Sequence, residues 1–485
     1  LRVECSRHSG LLLTGARDCA VIGCVVTGIG NVGINLGGVA NAHEEVGNPR
    51  VEPFEGFSGG VGGGGQNILF NDPCQGCRVE GCDVSDCGAD GIFLYGTGNL
   101  AENNHVFNIG LFDKDCACVS LWGEENVARR NNLHDAPRNA IYLKGIGNVA
   151  ELNDIYHTML ETCDGGAIRM CQRNLTMRGN VIRHNRILDT VGYGYPYTSR
   201  TFQSPYYSWG VYLDDFTCGT TVEGNIIARV GRGGVMLHGG SDNIVTGNIV
   251  VDAAVAQLEQ APIRDKSISG NVFAHNVLVY GSADALAYRS TKWVDGSLTF
   301  DRNLVWAFGN PVRVDLGRGG SAFDDWLAWI THGLDSGSIV AEPRFVDAAN
   351  DDYRLAPDSP AWEMGFEETP VDQIGCYRSP ARASWPVDTN AGVVREEPLL
   401  YTQPVRPIRE DFEIDVVGRP PRHGDVAVGP GAKIVVTDEQ AAGGEHSLKV
   451  RDAPGLRQLW LPRIYYPLEH TEGRVRFSCD LLLDA

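Results

Sequence analysis

Residues 224–250 read GNIIARVGRGGVMLHGGSDNIVTGNIV, a stretch that opens and closes on one phrase, Gly-Asn followed by two apolar residues. The phrase stands at Gly179-Asn180-Val181-Ile182, Gly224-Asn225-Ile226-Ile227, Gly247-Asn248-Ile249-Val250 and Gly270-Asn271-Val272-Phe273, the last three 23 residues apart. Looser forms follow at His275-Asn276-Val277-Leu278 and Arg302-Asn303-Leu304-Val305. Inside the stretch lies a second phrase: small, apolar, variable, apolar. It reads Gly91-Ile92-Phe93-Leu94, Cys118-Val119-Ser120-Leu121, Ala140-Ile141-Tyr142-Leu143, Ala167-Ile168-Arg169-Met170, Gly210-Val211-Tyr212-Leu213 and Gly234-Val235-Met236-Leu237, at spacings of 27, 22, 27, 43 and 24.

A period of this size marks a solenoid whose units must stack to bury their apolar sides. It suits one coil of a parallel β-helix with three short strands. Leucine-rich repeats share the period, but several leucines and a helical segment per repeat are missing here. Side chains alternate along a strand. Ile92, Val119, Ile141, Ile168, Val211 and Val235 therefore point inward, with Leu94, Leu121, Leu143, Met170, Leu213 and Leu237. The asparagine of Gly-Asn belongs at a turn, where it tolerates left-handed backbone and its amide stacks on the next coil's.

The expected fold is all-β: a right-handed parallel β-helix over residues 1–375, a linker over 376–407 and a partial β-sandwich over 408–485. Coils stop near Asp347, and Asp352-Tyr353-Arg354-Leu355 through Gly375 reads as a closing cap. Lys433-Ile434-Val435-Val436 and Arg474-Val475-Arg476-Phe477 carry the sandwich alternation. This second domain is expected to bind carbohydrate or act as a spacer. The spacing of 43 marks an aromatic, proline-rich insertion at Tyr193–Ser208, and another loop covers residues 38–66. Loops of this length are more often functional than idle.

The 485 residues exceed one ordinary compact core. With 61 acidic against 41 basic residues the net charge is −20, which argues against nucleic acid as a partner. Sixty glycines alongside plentiful β-branched and aromatic residues imply tight turns rather than disorder. No run of about 18 apolar residues suggests a membrane span. The chain begins at Leu1 with strand-like sequence and no leader, so it reads as a fragment or processed form, and a secreted or periplasmic location is expected. The 14 cysteines pull the other way. Cys74-Gln75-Gly76-Cys77 has zinc-like spacing, but no second pair follows at a fitting distance. The cysteines read as small apolar filler, and no metal site is expected.

The register makes two outward columns. One holds Phe93, Ser120, Tyr142, Arg169, Tyr212 and Met236; the other holds Tyr95, Trp122, Lys144, Cys171, Asp214 and His238. Aromatic rings suit sugar faces, and Arg, Lys and Asp suit hydroxyls or carboxylates. A strip that packs beneath loops is the alternative. Asp164 opens Asp-Gly-Gly at a strand entrance, and Asp214-Asp215 ends the next strand-bearing coil. Stacked coils lie about 4.8 Å apart, so carboxylates on adjacent coils can approach glycosidase separations. Asp164 lies several positions before the column and needs a bend to bring it back. His134, in Asn132-Leu133-His134-Asp135-Ala136-Pro137, either faces the groove or is a turn histidine bonded to backbone.

These phrases, with Glu161-Thr162-Cys163-Asp164-Gly165-Gly166-Ala167-Ile168 and Gly210-Val211-Tyr212-Leu213-Asp214-Asp215, resemble bacterial right-handed β-helix carbohydrate-active proteins, including glycoside hydrolase family 141. Fucosidases and xylanases are among its members. The likeness covers residues 60 to 375. It implies acidic catalysis at Asp164 and at Asp214 or Asp215, on a polysaccharide or oligosaccharide. The segment Arg169-Met170-Cys171-Gln172-Arg173-Asn174-Leu175 departs from the family's usual Tyr and Gly-Arg-Asp-Trp, which puts the identity of the sugar in question; an arginine there favours an anionic or sulfated one.

Three readings stand. A glycoside hydrolase would use one aspartate as acid and the other as nucleophile or base. A polysaccharide lyase would take a proton beside a uronate carboxylate with Lys144, Arg169, His238 or Tyr212, the carboxylate neutralised by a cation or Ca²⁺. A non-catalytic glycan-binding protein would use the same strip without turnover. No cofactor is required, and Tyr142, Trp122 and Lys144 join Arg169, Tyr212, His238 and His134 as substrate contacts.

Overall fold

The computed structural model describes residues 1–37, 73–195, 202–263, 268–294, 296–317, 326–331, 333–388, 409–456, 460–466, 478–480 and 482. The loop at 38–66 lies outside them, as do residues 196–201 of the insertion, most of the expected linker and the strand at Arg474–Phe477. The chain divides into two compact units, one reaching Glu397 and the other holding Pro398–Ala485.

The first unit is a right-handed parallel β-helix whose described residues form three parallel sheets of 12, 10 and 12 strands. One coil shows the plan: Asn139–Ile146 in the first sheet, Val149–Glu151 in the second and Asp154–Thr158 in the third. The chain then enters Gly165–Cys171, which pairs in parallel with Asn139–Ile146. All twelve residues expected inward, from Ile92 and Leu94 to Val235 and Leu237, are fully buried. Each contributes about 1.5–3 kcal/mol by leaving water. Cys77, Cys82, Cys87 and Cys118 follow the filler reading and lie in the same core, whereas Cys5, Cys19 and Cys479 are exposed; none of the 14 forms a disulfide.

The asparagines form ladders. Asn185 Nδ2 donates to Asn225 Oδ1, Asn225 Nδ2 to Asn248 Oδ1 and Asn248 Nδ2 to Asn276 Oδ1, at 2.9, 2.9 and 3.0 Å. The left-handed backbone is not at the asparagine but one residue earlier. Gly179, Gly224, Gly247 and Gly270 have φ between 61° and 77°. Glycine takes that conformation without a Cβ penalty, which frees the following asparagine to turn its amide into the buried ladder.

Before the last coil strand, Ile339–Val340, stands a short helix, Trp326–Thr331, that the sequence reading did not anticipate. Its Trp329 is fully buried, 5.0 Å from the Phe300 ring, and donates from Nε1 to Asp335 Oδ2 at 2.8 Å. The segment after Asp347 is not an end cap. Tyr353, Leu355, Ala361 and Phe366 pack on the outward face of the third sheet, over Leu188, Ala228, Val251 and Val279. That face is apolar and needs cover. Residues 369–383, including part of the expected linker, continue back along the coils. Thr369 Oγ1 donates to Gly224 O, Gly375 N to Leu152 O, Tyr377 N to Asn103 Oδ1 and Ala383 N to Gly81 O. Arg382, almost wholly buried, clamps the end of this strap onto Asp83 and the Asn103 carbonyl. Arg382→Ala takes from Asp83 its charged partner, leaving the Ser384 hydroxyl, and is expected to cost about 3 kcal/mol. Limited proteolysis would register it as early cleavage within residues 376–388.

The described part of the second unit holds two antiparallel pairs, Asp425–Ala427 with Arg463–Tyr465 and Lys433–Thr437 with Ser447–Arg451.

Candidate active site

The first sheet carries the site, and its register is the one expected. Ser120 pairs with Tyr142, Tyr142 with Arg169, Arg169 with Tyr212 and Tyr212 with Met236; Trp122 pairs with Lys144 and Cys171 with Asp214.

Asp164 does return to the column. It sits in left-handed backbone at φ 57°, and its N–H donates to Tyr207 O at 2.8 Å. The two glycines after it permit the close approach. A Cβ on Gly166 would lie 2.9 Å from Trp209 O and 3.0 Å from Tyr212 Cβ. Tyr212 reaches back along the strand, and its hydroxyl donates to Asp164 Oδ1 at 3.3 Å while lying 3.5 Å from His238 Nδ1.

Asp214 is the buried hub. Its Oδ2 accepts from Arg169 Nη2 at 2.7 Å; its Oδ1 accepts from His238 Nδ1 at 2.7 Å and from Asp215 N at 2.8 Å. Burial alone would raise its pKa, but the His238 hydrogen bond and the Arg169 charge hold it well below the usual carboxylate range. Conversely, burial would lower His238, and Asp214 raises it above its ordinary value instead. An ionised Asp214 only accepts, so Nδ1 carries a proton and Nε2 is left for chemistry. The imidazole is about one-third exposed and Asp164 is exposed, whereas Tyr212 and Asp214 are buried. Burial raises the Tyr212 hydroxyl, with Asp214 and Asp164 adding to it, so Tyr212 stays protonated. Asp215 is held from the other side by Arg173, whose Nε donates to Oδ2 at 2.7 Å.

One coil further up, Lys144 Nζ lies 4.5 Å over the Trp122 ring, and burial lowers its pKa. Tyr142 flanks Arg169, whose guanidinium lies 5.9 Å from its ring. Cys171, Asp214 and Asp215 place one possible ligand atom each within 4.8 Å of one another. A thiol and two carboxylates already bound to Arg169, Arg173 and His238 do not make the all-oxygen shell calcium prefers.

His134 is not in the groove. It belongs to the third sheet, in Asn132–His134, and is fully buried. Its Nδ1 meets Asp135 Oδ2 at 2.7 Å and its Nε2 meets His105 Nε2 at 2.8 Å. Tyr156 stacks on it at 4.5 Å. The expected groove histidine is thus part of a packed polar stack. Burial, with His134 adding to it, pushes neighbouring His105 down to about 3.

The sequence reading ended the outward columns at Met236 and His238, but they continue. Met236 pairs with Glu259, and Glu259 with Arg289. The coil's phrase here is Gln257-Leu258-Glu259-Gln260, with glutamine at the small slot and at the second inward slot, so the pattern broke while the spacing of 23 from Gly234 held. Inside, Gln257 Nε2 donates to Ala253 O and Gln260 Nε2 to Ser297 Oγ, both at 3.1 Å, while among the described residues Gln260 Oε1 finds no partner. Outside, Trp209, Tyr212 and Met236 form a buried cluster of their own. The middle of the strip is therefore covered, and its accessible groups are Asp164 and His238. Tyr193 and Phe202, at the described edges of the insertion, stack at 4.9 Å.

Comparison with known proteins agrees with the architecture. Residues 117–306 match the family model described as right handed beta helix region. No curated protein matches the chain. Among solved structures, a tailspike protein of E. coli bacteriophage HK620 in complex with a pentasaccharide is similar at 14% identity and TM-score 0.39, over 52% of this chain and 46% of that one. The PL6 family alginate lyase AlyGC is similar at 12% identity and TM-score 0.41, over 78% and 55%. DFA-IIIase from Arthrobacter chlorophenolicus A6, in complex with GF2, is similar at 14% identity and TM-score 0.32, over 64% and 67%. The chain spans about half the length of the tailspike protein it matches.

Proposed function

We propose that this chain is a glycoside hydrolase acting on a plant or algal polysaccharide or oligosaccharide, with its reaction centre at Asp164, Asp214, Tyr212 and His238. One observation carries the reading: Asp164 and the Asp214–His238 pair, from three successive coils, converge on a single buried tyrosine hydroxyl. The resemblance of the Asp-Gly-Gly and Leu-Asp-Asp phrases to glycoside hydrolase family 141 supports it. The two aspartates differ in role. Asp214 is already ionised and fully engaged, so it orients His238 and stabilises its imidazolium. His238 is the proton donor to the leaving oxygen, and exposed Asp164 acts as nucleophile or base. Asp215 positions Arg173 at the rim; Arg169, Tyr142, Trp122 and Lys144 line the approach. No cofactor takes part, and the protein acts outside the cytoplasm, in the periplasm or the medium.

The test is release of new reducing ends from a panel of plant and algal polysaccharides. A lyase using His238 or Tyr212 as base would instead give an unsaturated product absorbing in the near ultraviolet. Cleavage with that absorbance overturns the hydrolase, and cleavage without it supports the hydrolase. The proton-donor role also predicts pH behaviour. Because Asp214 raises His238 above its ordinary value of about 6.5, the imidazolium persists to a higher pH than a free imidazole's would, and the rate falls as pH rises through the His238 titration. Imidazole titration by NMR is expected to show the raised value in the parent and a lower one in Asp214→Asn. Equal values in both would remove His238 from the role.

A further inference from the structure

Glu259 is fully buried beneath the groove, two coils or about 10 Å beyond Tyr212. Its carboxylate is saturated. Oε1 accepts from Arg232 Nη2 at 2.9 Å and from Arg289 Nη1; Oε2 accepts from Arg232 Nε at 3.0 Å and from Trp209 Nε1 at 2.9 Å. Burial would raise its pKa, but the arginines lower it, so it is ionised. Two guanidiniums thus share one carboxylate, and one positive charge is left over.

That excess faces outward. The Arg232 and Arg289 side chains are 19% and 25% exposed, while Glu259 and Trp209 below them are sealed. Arg232 is held flat by aromatic faces, 4.6 Å over Tyr207 and 5.5 Å over Trp209. Arg289 uses one of its five donors on Glu259. Its register partner on the next coil, Asp315, is exposed and turns Oδ1 to Gly317 N instead. Among the described residues no other carboxylate pairs with either arginine. A rigid, partly desolvated guanidinium pair with spare donors and net positive charge is a receptor for a planar or tetrahedral oxyanion.

We infer that Arg232 and Arg289 form an anion subsite, binding a carboxylate or sulfate carried by a sugar unit beyond the bond that is cleaved. This rests on the glycan reading of the groove and specifies its substrate class as an acidic glycan. Glu259 and Trp209 act beneath as the platform that fixes the pair.

Calorimetric titration of the full chain separates the possibilities, since it reads binding rather than turnover. The probes are a tetragalacturonate, a sulfated galactan tetrasaccharide and a neutral galactan tetrasaccharide. An acidic probe is expected to bind at least tenfold tighter than the neutral one, and the stronger of the two acidic probes identifies carboxylate or sulfate as the group. Arg289→Gln keeps Glu259 paired with Arg232 and Trp209, so it should fold; it is expected to lose about tenfold or more on that acidic probe and nothing on the neutral one. Arg289→Lys should recover part of the loss. Equal binding of acidic and neutral probes, binding of none, or unchanged affinity in Arg289→Gln overturns the subsite. Binding through Arg289 without release of reducing ends from any substrate would retain the subsite and overturn the hydrolase. Cleavage of an acidic glycan at the parental rate and affinity by Arg289→Gln would do the opposite.

Discussion

Asp164→Asn is expected to slow glycan cleavage by about 10²–10⁴-fold, the usual share of a nucleophile or of general acid–base catalysis. Stability should change by no more than about 0.5 kcal/mol, because Asp164 is exposed and among the described residues its carboxylate makes a single long hydrogen bond. Asp214→Asn should slow the reaction comparably, but for a different reason and with a different signature. It removes the charge that holds Arg169 and His238. Leaving the largely buried Arg169 charge without its partner costs about 3–5 kcal/mol. The pair of measurements is turnover against denaturant unfolding for both variants. Loss of activity in both, with loss of stability confined to Asp214→Asn, fits the assigned roles. If Asp214→Asn were destabilised yet cleaved at the parental rate, Asp214 would be a structural ion-pair hub and the reaction centre would lie elsewhere.

Asn225→Ala is expected to cost about 3–6 kcal/mol, a large part of an ordinary domain's stability. Asn225 Oδ1 accepts both the backbone N–H and the side-chain Nδ2 of Asn185, and its own Nδ2 donates to Ile182 O. Truncation orphans the buried Asn185 N–H, at about 1–3 kcal/mol, and breaks three further buried hydrogen bonds, with Asn185 Nδ2, Ile182 O and Asn248 Oδ1, at about 0.5–1.5 kcal/mol each. Coils contact only their neighbours, so the damage should be local at first. Hydrogen exchange should show amides around Asn185 and Asn248 losing protection before the distant coils do. Uniform protection loss along the helix would mean that the coils unfold as one unit rather than by nearest-neighbour steps.

Much of the scaffold could be read from the chain alone. The recurrence of Gly-Asn and of the small-apolar-variable-apolar phrase sets the coil length. Period-two alternation then puts Ile168 and Met170 inside and Arg169 and Cys171 outside. Once coils stack, Tyr142, Arg169 and Tyr212 must fall in one column, as they do. These outcomes follow from backbone geometry that repeats every coil, so local sequence determines them.

Other features depend on chain segments that meet from far apart. The third sheet's outward face is buried by a strap whose Cys376 N–H reaches Asn132 Oδ1 across 244 positions, and His134 lies on that sheet, stacked with Phe107 and Tyr156, rather than in the groove. Glu259 became part of the strip because stacking kept the coil's place even where Gln257 and Gln260 interrupted the pattern. Asp164 joined Asp214 only because Tyr212 is long enough to lean back past the close contact at Gly166. The ionised state of Asp214 was equally out of reach of the sequence. Burial and two cationic partners act on it in opposite directions, and only their actual distances decide which prevails. Residue type and spacing therefore determined the coil, its register and the list of outward side chains. Tertiary packing decided which of those side chains meet, which are covered and which carry charge, because those depend on contacts that no local period encodes.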